Sequence, residues 1–422
     1  MRLSPVIFIL YLVISAQISF AQSLIYLRPE RVFDGEKMLE KQGVLIKDNK
    51  IESIESQVVI EKNLPKNTNI IDLKGCTLLP GLIEGHTHLF LHPYNETPWE
   101  DQVLKEARSY RTSRAVVHAE RTLKAGFTTA RDLGTEGAEF DDVGLKKAIN
   151  DGIILGPKLL IATKALIATG SYAPKGFSPD FQVPQGAEEA DGHDDLIKKV
   201  RNQIGHGADL IKIYADYRWG LRGEAAPTFS IDEIKLIVET AKSAGRPTVA
   251  HASTAEGMRR AILGGVETIE HGDNGTPEIW KLMVEKNVGF CPTLAAGDAI
   301  SQYRGWKKGI DADPERIKKK KETFRQALDA NVKICFGGDV GVFAHGDNAR
   351  ELEIMVDYGM KPTDALKSAT SINADIFHVE REVGRIKTGL LADILVVEGN
   401  PTQNISDIRK VKLVMKDGKI VY

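Results

Sequence analysis

The alternation of hydrophobic and polar positions changes rhythm twice along the chain. Near the start, Gly43-Val44-Leu45-Ile46 and Lys50-Ile51-Glu52-Ser53-Ile54 are short β-like pieces separated by turn residues, which predicts an antiparallel meander. The last residues have the same texture. Ala392-Asp393-Ile394-Leu395-Val396-Val397 is followed by Val411-Lys412-Leu413-Val414-Met415, then Asp417-Gly418 and Lys419-Ile420-Val421. Asp-Gly between two such runs is a local hairpin signal. The two chain ends are therefore expected to meet in one small β-sandwich, built from residues 22–78 and 384–422.

Between them, over residues 79–383, a short apolar strand ending in polar residues is followed again and again by a helical stretch. Eight strands fit this pattern: 78–89, 128–134, 158–168, 210–216, 248–252, 268–272, 289–294 and 333–340, with helical pieces such as 231–244 and 314–330 between them. Eight β–α alternations predict an α/β fold of the (β/α)8 TIM-barrel type with insertions. The stretch 170–192, rich in Gly, Pro and Ala, is too long for a plain turn and is expected to form a loop over the active face.

Composition changes this picture little. The chain has 422 residues, 42% hydrophobic and 27% charged, which excludes a disordered, collagenous or coiled-coil protein. Lys+Arg 56 against Asp+Glu 58 gives a net charge of −2 without long runs of one sign, so neither nucleic acid nor an anionic membrane is an expected partner. The N-terminus matters more. A basic Met1-Arg2 start, an apolar run from Val6 to Ile14 and the small residues of Ser19-Phe20-Ala21 form a secretory signal peptide over residues 1–21. Export to a periplasmic or extracellular location is the expectation, with no membrane attachment after cleavage. Cys76, Cys291 and Cys335 lie far apart in apolar surroundings and read as small core residues rather than a disulfide framework.

Candidate chemistry gathers at the predicted strand ends. The first strand finishes Glu84-Gly85-His86-Thr87-His88, the fourth carries Ile211-Lys212-Ile213, and the fifth Val249-Ala250-His251. The sixth ends Ile269-Glu270-His271-Gly272 and the eighth Phe336-Gly337-Gly338-Asp339. In a barrel these are mouth positions. His86 and His88, two apart on a strand, point the same way and can grip one metal together. Lys212 is costly as a cation inside an apolar strand. As a neutral amine it can take up CO2 to give an anionic carbamate with two oxygens, able to bridge two divalent ions.

With these motifs the chain resembles the amidohydrolase superfamily, in its binuclear branch with a carboxylated lysine. The likeness runs through Leu79-Pro80-Gly81-Leu82-Ile83-Glu84-Gly85-His86-Thr87-His88, Gly207-Ala208-Asp209-Leu210-Ile211-Lys212, Ile269-Glu270-His271-Gly272, Gly338-Asp339 and the closing Gly389-Leu390-Leu391-Ala392-Asp393-Ile394. It is most similar to the group of prolidase-like dipeptidases, N-acyl-amino-acid hydrolases and ochratoxin-type amidases. The resemblance implies that His86, His88 and Asp339 hold one metal and His251 and His271 the other. Lys212, as N6-carboxylysine, would bridge both, and zinc is the usual metal. It implies attack on an amide carbonyl by a hydroxide shared between the two ions, with Asp339 as the catalytic base that then protonates the leaving amine. It also implies that the chain can associate with copies of itself.

For the substrate, Tyr214, Tyr217 and Arg218 follow Lys212 and are expected to face the pocket, with Tyr172 and His345 on loops at the same face. Arg suits a two-pronged grip on a carboxylate, which favours a small-molecule dipeptide or N-acyl amino acid. The alternative for Arg218 is pairing with a nearby Asp at the rim, with Trp219 packing a loop. Thr169-Gly170-Ser171-Tyr172 stands where relatives often carry Gly-His. Three other functions stay open. They are a binuclear lactonase or esterase, a mononuclear deaminase or imidazolonepropionase-like enzyme, and an exported metal- or peptide-binding protein. The deaminase reading is weakened by Lys212 and by the lack of a Glu in His251-Ala252-Ser253-Thr254.

Overall fold

A computed structural model describes residues 24–178 and 180–422. The signal peptide expected over residues 1–21 lies outside the described residues. The chain opens with β1 (Leu24–Phe33), β2 (Met38–Glu40), β3 (Gln42–Lys47), β4 (Lys50–Ser56) and β5 (Asn69–Pro80). The central part carries β6 (Leu82–Thr87), β7 (Phe127–Asp132), β8 (Lys158–Ile161), β9 (Leu166–Ile167) and β10 (Glu188–Glu189). It continues with β11 (Ile211–Tyr214), β12 (Asp216–Arg218), β13 (Ala225–Pro227), β14 (Thr248–Ala252), β15 (Thr268–His271) and β16 (Gly289–Cys291). At the end come β17 (Ile394–Glu398), β18 (Val411–Lys416) and β19 (Lys419–Ile420).

The two chain ends do meet. They form one eight-stranded sheet in the order β19-β18-β17-β5-β1-β3-β4, with β2 on β1. The expected sandwich takes the form of this continuous sheet, which curls until its two outer turns touch. Asp417 and Gly418, both at positive φ, make the β18–β19 hairpin turn as the Asp-Gly pair predicts. A side chain on Gly418 would lie 2.1 Å from the Asp48 carbonyl in the β3–β4 turn, so only glycine lets the turns close. Leu27, Val44, Ile46, Leu78, Val396 and Met415 fill the buried cluster of this sheet.

Apart from the antiparallel β12–β13 hairpin, the central strands run parallel. β6, β7 and β8 form one sheet, and β9, β11, β14, β15 and β16 another, with β10 at its edge. Asp209 N–H donates to the Ile161 carbonyl at 2.8 Å between them. Beyond β16, residues 333–340 bridge to Phe290 through Ile334 and back to Thr87 through Val340. With helices such as Ile231–Lys242, Ala255–Gly264 and Glu315–Asp329 between strands, the arrangement is α/β and TIM-barrel-like. The first of these helices starts at a capping box of Ser230 and Glu233.

Three expected strands come out differently. The stretch 78–89 breaks at Gly81, where the chain leaves the terminal sheet. A Cβ there would sit 2.1 Å from Thr128 Oγ1, so the linker backbone packs directly on β7. The stretch 158–168 splits into β8 and β9, and 333–340 pairs only at its two bridges. All three cysteines are buried and unpaired. No helix among the described residues is long and apolar enough to cross a membrane.

Candidate active site

Of the six expected ligand residues, His86, His88, His251 and His271 come from the C-terminal ends of parallel strands or just beyond them, Lys212 from the first half of β11, and Asp339 from the stretch 333–340. His86 is the last residue but one of β6 and His88 directly follows the strand, and their rings lie 5.3 Å apart. His86 lies 5.1 Å from the His271 ring, and His271 4.3 Å from His251, so the four imidazoles form one continuous group. Asp339 Oδ1 is 3.6 Å from His86 Nε2 and 3.4 Å from His88 Nε2. Ligand atoms of these three residues lie within 4.8 Å of one another. Lys212 is buried in β11, where the pairing Lys212↔Val249 and Tyr214↔His251 sets it one step below the His251 level. His271 and Asp339 sit at φ 76 and 61, a backbone strain that aims both side chains.

The donor set fits a divalent cation, and the supporting hydrogen bonds say how. His88 Nδ1–H donates to the Gly134 carbonyl at 2.8 Å, and His86 Nδ1 meets Glu270 Oε2 at 2.9 Å. His271 Nδ1 is paired with Thr293 Oγ1 at 2.8 Å. With Nδ1 committed, each Nε2 lone pair is left for a metal. Burial, with the nearby Lys212 charge, pushes the His251 pKa down to about 3, and burial holds His86 and His271 well below the ordinary range. All three are therefore neutral, the ligating form. Burial also lowers the Lys212 pKa, against the pull of Glu270 and Asp339, and so favours the amine that reacts with CO2. His86, Glu270 and Cys291 also lie close enough for a cation. Glu270, however, already accepts from Arg131 Nη2 at 2.8 Å and from Thr268, so it supports His86 rather than a separate metal.

Three carboxylates with clear roles had no sequence signal of their own. Glu270 is one. Glu84 is buried and accepts from the backbone of His86 and Gly338, both at 3.0 Å, and from Asn348 Nδ2 at 2.9 Å. It ties the His86 segment to the glycines before Asp339. Burial raises its pKa to about 7. Glu136, in the turn after β7, accepts from Trp99 Nε1 at 2.9 Å, from Tyr172 Oη and from Tyr214 Oη at 3.3 Å. Its flanking Gly134-Thr135-Glu136-Gly137 is the one local hint, since a turn with glycine on both sides can aim a side chain.

These groups open onto a cavity of about 580 Å³. Tyr172, Tyr214, Tyr217 and Arg218 line it as expected from the sequence. Tyr214 stacks on His251 with centroids 4.7 Å apart and on Tyr172 at 4.7 Å. Arg218, exposed on β12, makes no ion pair with Asp216. That carboxylate instead accepts from the Ser253 and Thr254 backbone N–H groups and from the Oγ1 of Thr254, the N-cap residue of the helix Ala255–Gly264. Trp219 Nε1 donates to the Ala226 and Pro227 carbonyls and packs the β12–β13 hairpin. His345 needs correction. It stacks on His118 at 4.2 Å, its Nε2 meets the Leu91 carbonyl at 3.1 Å, and it is buried behind the wall rather than lining the cavity. A histidine on a loop after the last strand can turn inward when a second imidazole waits to stack on it, and His118 is that partner.

Comparison with known proteins agrees with this geometry. The model of the amidohydrolase family matches residues 77–421. Ochratoxinase from Aspergillus niger is 29% identical over 419 residues, covering 92% of this chain and 84% of the relative. Its crystal structure superposes with a TM-score of 0.81 at 26% identity, covering 94% of this chain and 95% of that one. A Xaa-Pro dipeptidase with bound methionine in its active site gives a TM-score of 0.83 at 32% identity, covering 94% and 99% of the two chains. A prolidase complexed with N-methylphosphonate-L-proline gives 0.80 at 29%, again over 94% and 99%. The chain thus belongs to the amidohydrolase family, within its prolidase and ochratoxinase group, and is a hydrolase of C–N bonds.

Proposed function

We propose that this protein is an exported enzyme that cleaves the amide bond of a dipeptide or N-acyl amino acid, using two divalent metals, most simply zinc. The site would sit on a (β/α)8 barrel spanning residues 79–383, flanked by 22–78 and 384–422. The observation that carries the reading is the convergence of imidazole Nε2 atoms and Asp339 at the floor of a cavity whose rim carries a guanidinium, Arg218, with no side-chain partner among the described residues. His86, His88 and Asp339 would hold one ion, His251 and His271 the other, and carboxylated Lys212 both. Metals held there supply Lewis acidity toward a carbonyl oxygen and acidify water.

The remaining work falls to the chain itself. Asp339, reaching past His86 and His88, can take a proton from the attacking water on a carboxylate oxygen and deliver it to the leaving nitrogen. An amide nitrogen leaves only once protonated, so a group that both accepts and returns the proton is required. Glu270, Gly134 and Thr293 hold His86, His88 and His271 by their Nδ1 atoms, so the Nε2 atoms do not drift. At the rim, two wall carboxylates are already engaged. Asp216 accepts from the Ser253 and Thr254 backbone N–H groups, and Asp273 pairs with Lys320. Arg218, Arg304 and Arg316 line the same cavity with no such side-chain partner among the described residues, which favours an anionic group on the substrate. Export rests on the Val6–Ile14 apolar run and the Ser19-Phe20-Ala21 cleavage pattern.

The test uses residues 22–422 loaded with zinc in bicarbonate buffer. Amino-acid release from a library of dipeptides and N-acyl amino acids is followed by mass spectrometry. The expected result is release that collapses when the terminal carboxylate is amidated. No release from any member, with two metals bound per chain, would overturn the amide reading in favour of lactones and esters.

A further inference from the structure

Glu136 is a buried carboxylate, 2% exposed, on the lining of the active cavity. Its turn is shaped for it: Gly134, Glu136 and Gly137 all have positive φ, at 143, 49 and 91. A buried charge is costly unless paired, yet its hydrogen-bond partners are neutral. Trp99 Nε1 and Tyr172 Oη meet Oε2, and Tyr214 Oη meets Oε1. His88 Nδ1, 3.9 Å away, is committed to the Gly134 carbonyl. The nearby Arg111 spends its guanidinium on the Phe90 and Thr135 carbonyls. Three inward donors occupy three of its acceptor positions. Four lone-pair positions with three donors leave one open, beside an aromatic wall of Trp99, Tyr172, Tyr214 and Tyr217. An acceptor with one open position and ring faces around it, whose nearby cation Arg111 hydrogen-bonds to carbonyls instead, is a receptor for a substrate cation.

The location says which cation. An α-amine is carried on the carbon next to the scissile carbonyl, so the group that recognises it must lie a few ångströms from the residues that surround that carbonyl. Glu136 Oε1 lies against the His88 ring. We propose that Glu136 binds the free α-ammonium group of the substrate, so that the protein cleaves dipeptides with an unblocked N-terminus in preference to N-acyl amino acids. This rests on the amide-hydrolase reading above and narrows its substrate class. No bond is made or broken at Glu136. Its ion pair with the ammonium only fixes which end of the substrate lies beside the metal ligands.

The experiment compares three substrates with the same C-terminal residue: the dipeptide, its N-acetyl derivative, and the analogue with hydrogen in place of the amine. On zinc-loaded protein, kcat/KM is expected to favour the free amine by about tenfold or more, the factor that 1.4 kcal/mol of discrimination gives. In Glu136→Gln that ratio is expected to fall toward one. Tyr172→Phe, which removes a donor and leaves the carboxylate, should retain the preference. Dissociation constants of the dipeptide and its amine-free analogue, measured on the Asp339→Asn protein, give the same comparison without turnover. Equal constants for the two would overturn the proposal even if hydrolysis is found, as would a Glu136→Gln protein that loses activity on all three substrates in proportion. A clear advantage for the amine in binding, with none of the three cleaved, would uphold the subsite and sink the amide-hydrolase reading instead.

Discussion

The sheet made by the chain ends and the interior of the parallel strands both bury side chains, but of different kinds. The buried cluster of the terminal sheet is hydrocarbon and sulfur: Leu27, Val44, Ile46, Leu78, Val396 and Met415 are among its members. The interior of the parallel strands buries Glu84, His86, Arg131, Lys212 and Glu270, each 3% exposed or less. In the first region the burial is non-directional and tolerates rearrangement. In the second the Arg131 and Glu270 charges are held by named partners. Arg131 reaches Glu270, the Gly85 carbonyl at 2.6 Å and the face of Phe377 at 4.1 Å, and Glu270 in turn holds His86. One region supplies stability, and the other uses some of it to fix ligand geometry.

The sharpest way to separate the two regions is a change that alters the chemistry and leaves the fold alone. Asp339→Asn keeps the volume and the strained backbone of the site. It is expected to lower kcat by about 10³-fold or more, with the melting temperature close to that of the parent protein. Turnover on the best dipeptide, with metal content measured in parallel, checks it. Full activity with metals retained would remove Asp339 from proton transfer. Glu270→Gln joins the two regions' logics, because it leaves the Arg131 cation buried without its counter-charge. The expected cost is roughly 3–5 kcal/mol of stability. Looser metal binding should accompany it, because His86 loses the group that orients it. Urea midpoints and metal per chain read out both effects. Ile46→Ala in the terminal sheet is the opposite case, costing about 2–4 kcal/mol of stability through a cavity. Here kcat should stay within about twofold, since the site is remote from the change.

The same contrast decides what was legible in the sequence. The hairpin at Asp417-Gly418 and the β–α alternation are local patterns, and local patterns survive in one dimension; the meeting of the chain ends is long-range and was legible only through the β texture that both ends share. His86 and His88 also read correctly as neighbours because a strand has a period of two. Period two fails at the next step. Glu270 and His271 are adjacent and should point to opposite faces, yet both reach the His86 neighbourhood. The positive φ of His271 swings its ring back over the strand end. Glu84, Glu136 and Glu270 were illegible for another reason. Their partners Asn348, Tyr214 and His86 lie 264, 78 and 184 residues away, and nothing in the spacing tells one buried carboxylate from a surface one. His345 misled in the reverse direction, since a loop position says nothing about which way the ring turns. The break at Gly81 escaped because apolar residues continue across it while the chain passes from one sheet to the other.

The smallest effect is also the one that tests the cost of charge in the parallel-strand region without touching the ligands. Asp142 is buried in the first turn of the helix Asp141–Asn150, where Oδ2 accepts from the Thr163 backbone N–H at 3.0 Å and Oδ1 has no partner. Burial raises its pKa from 3.8 to about 7, against the helping backbone donors. The folded protein therefore holds this proton more tightly than the unfolded chain does. Between pH 4 and 7 the folded state binds more proton at this position, so the contribution of Asp142 to stability falls as pH rises and stays low above 7. Asp142→Asn keeps an oxygen for Thr163 and removes the charge. The difference in stability between variant and parent is expected to be near zero or slightly unfavourable at pH 4. It should shift in the variant's favour by at least about 1 kcal/mol at pH 8, and the amide N–H left without an acceptor costs the same at both pH values and drops out of the shift. Asp393 and Glu351, raised by burial to about 6 and 8, bend the parent's own stability curve in overlapping windows. They cancel in the difference. Urea titrations of both proteins at pH 4, 6 and 8 measure it, and a difference that does not move with pH would mean that Asp142 is ionised in the fold at no cost.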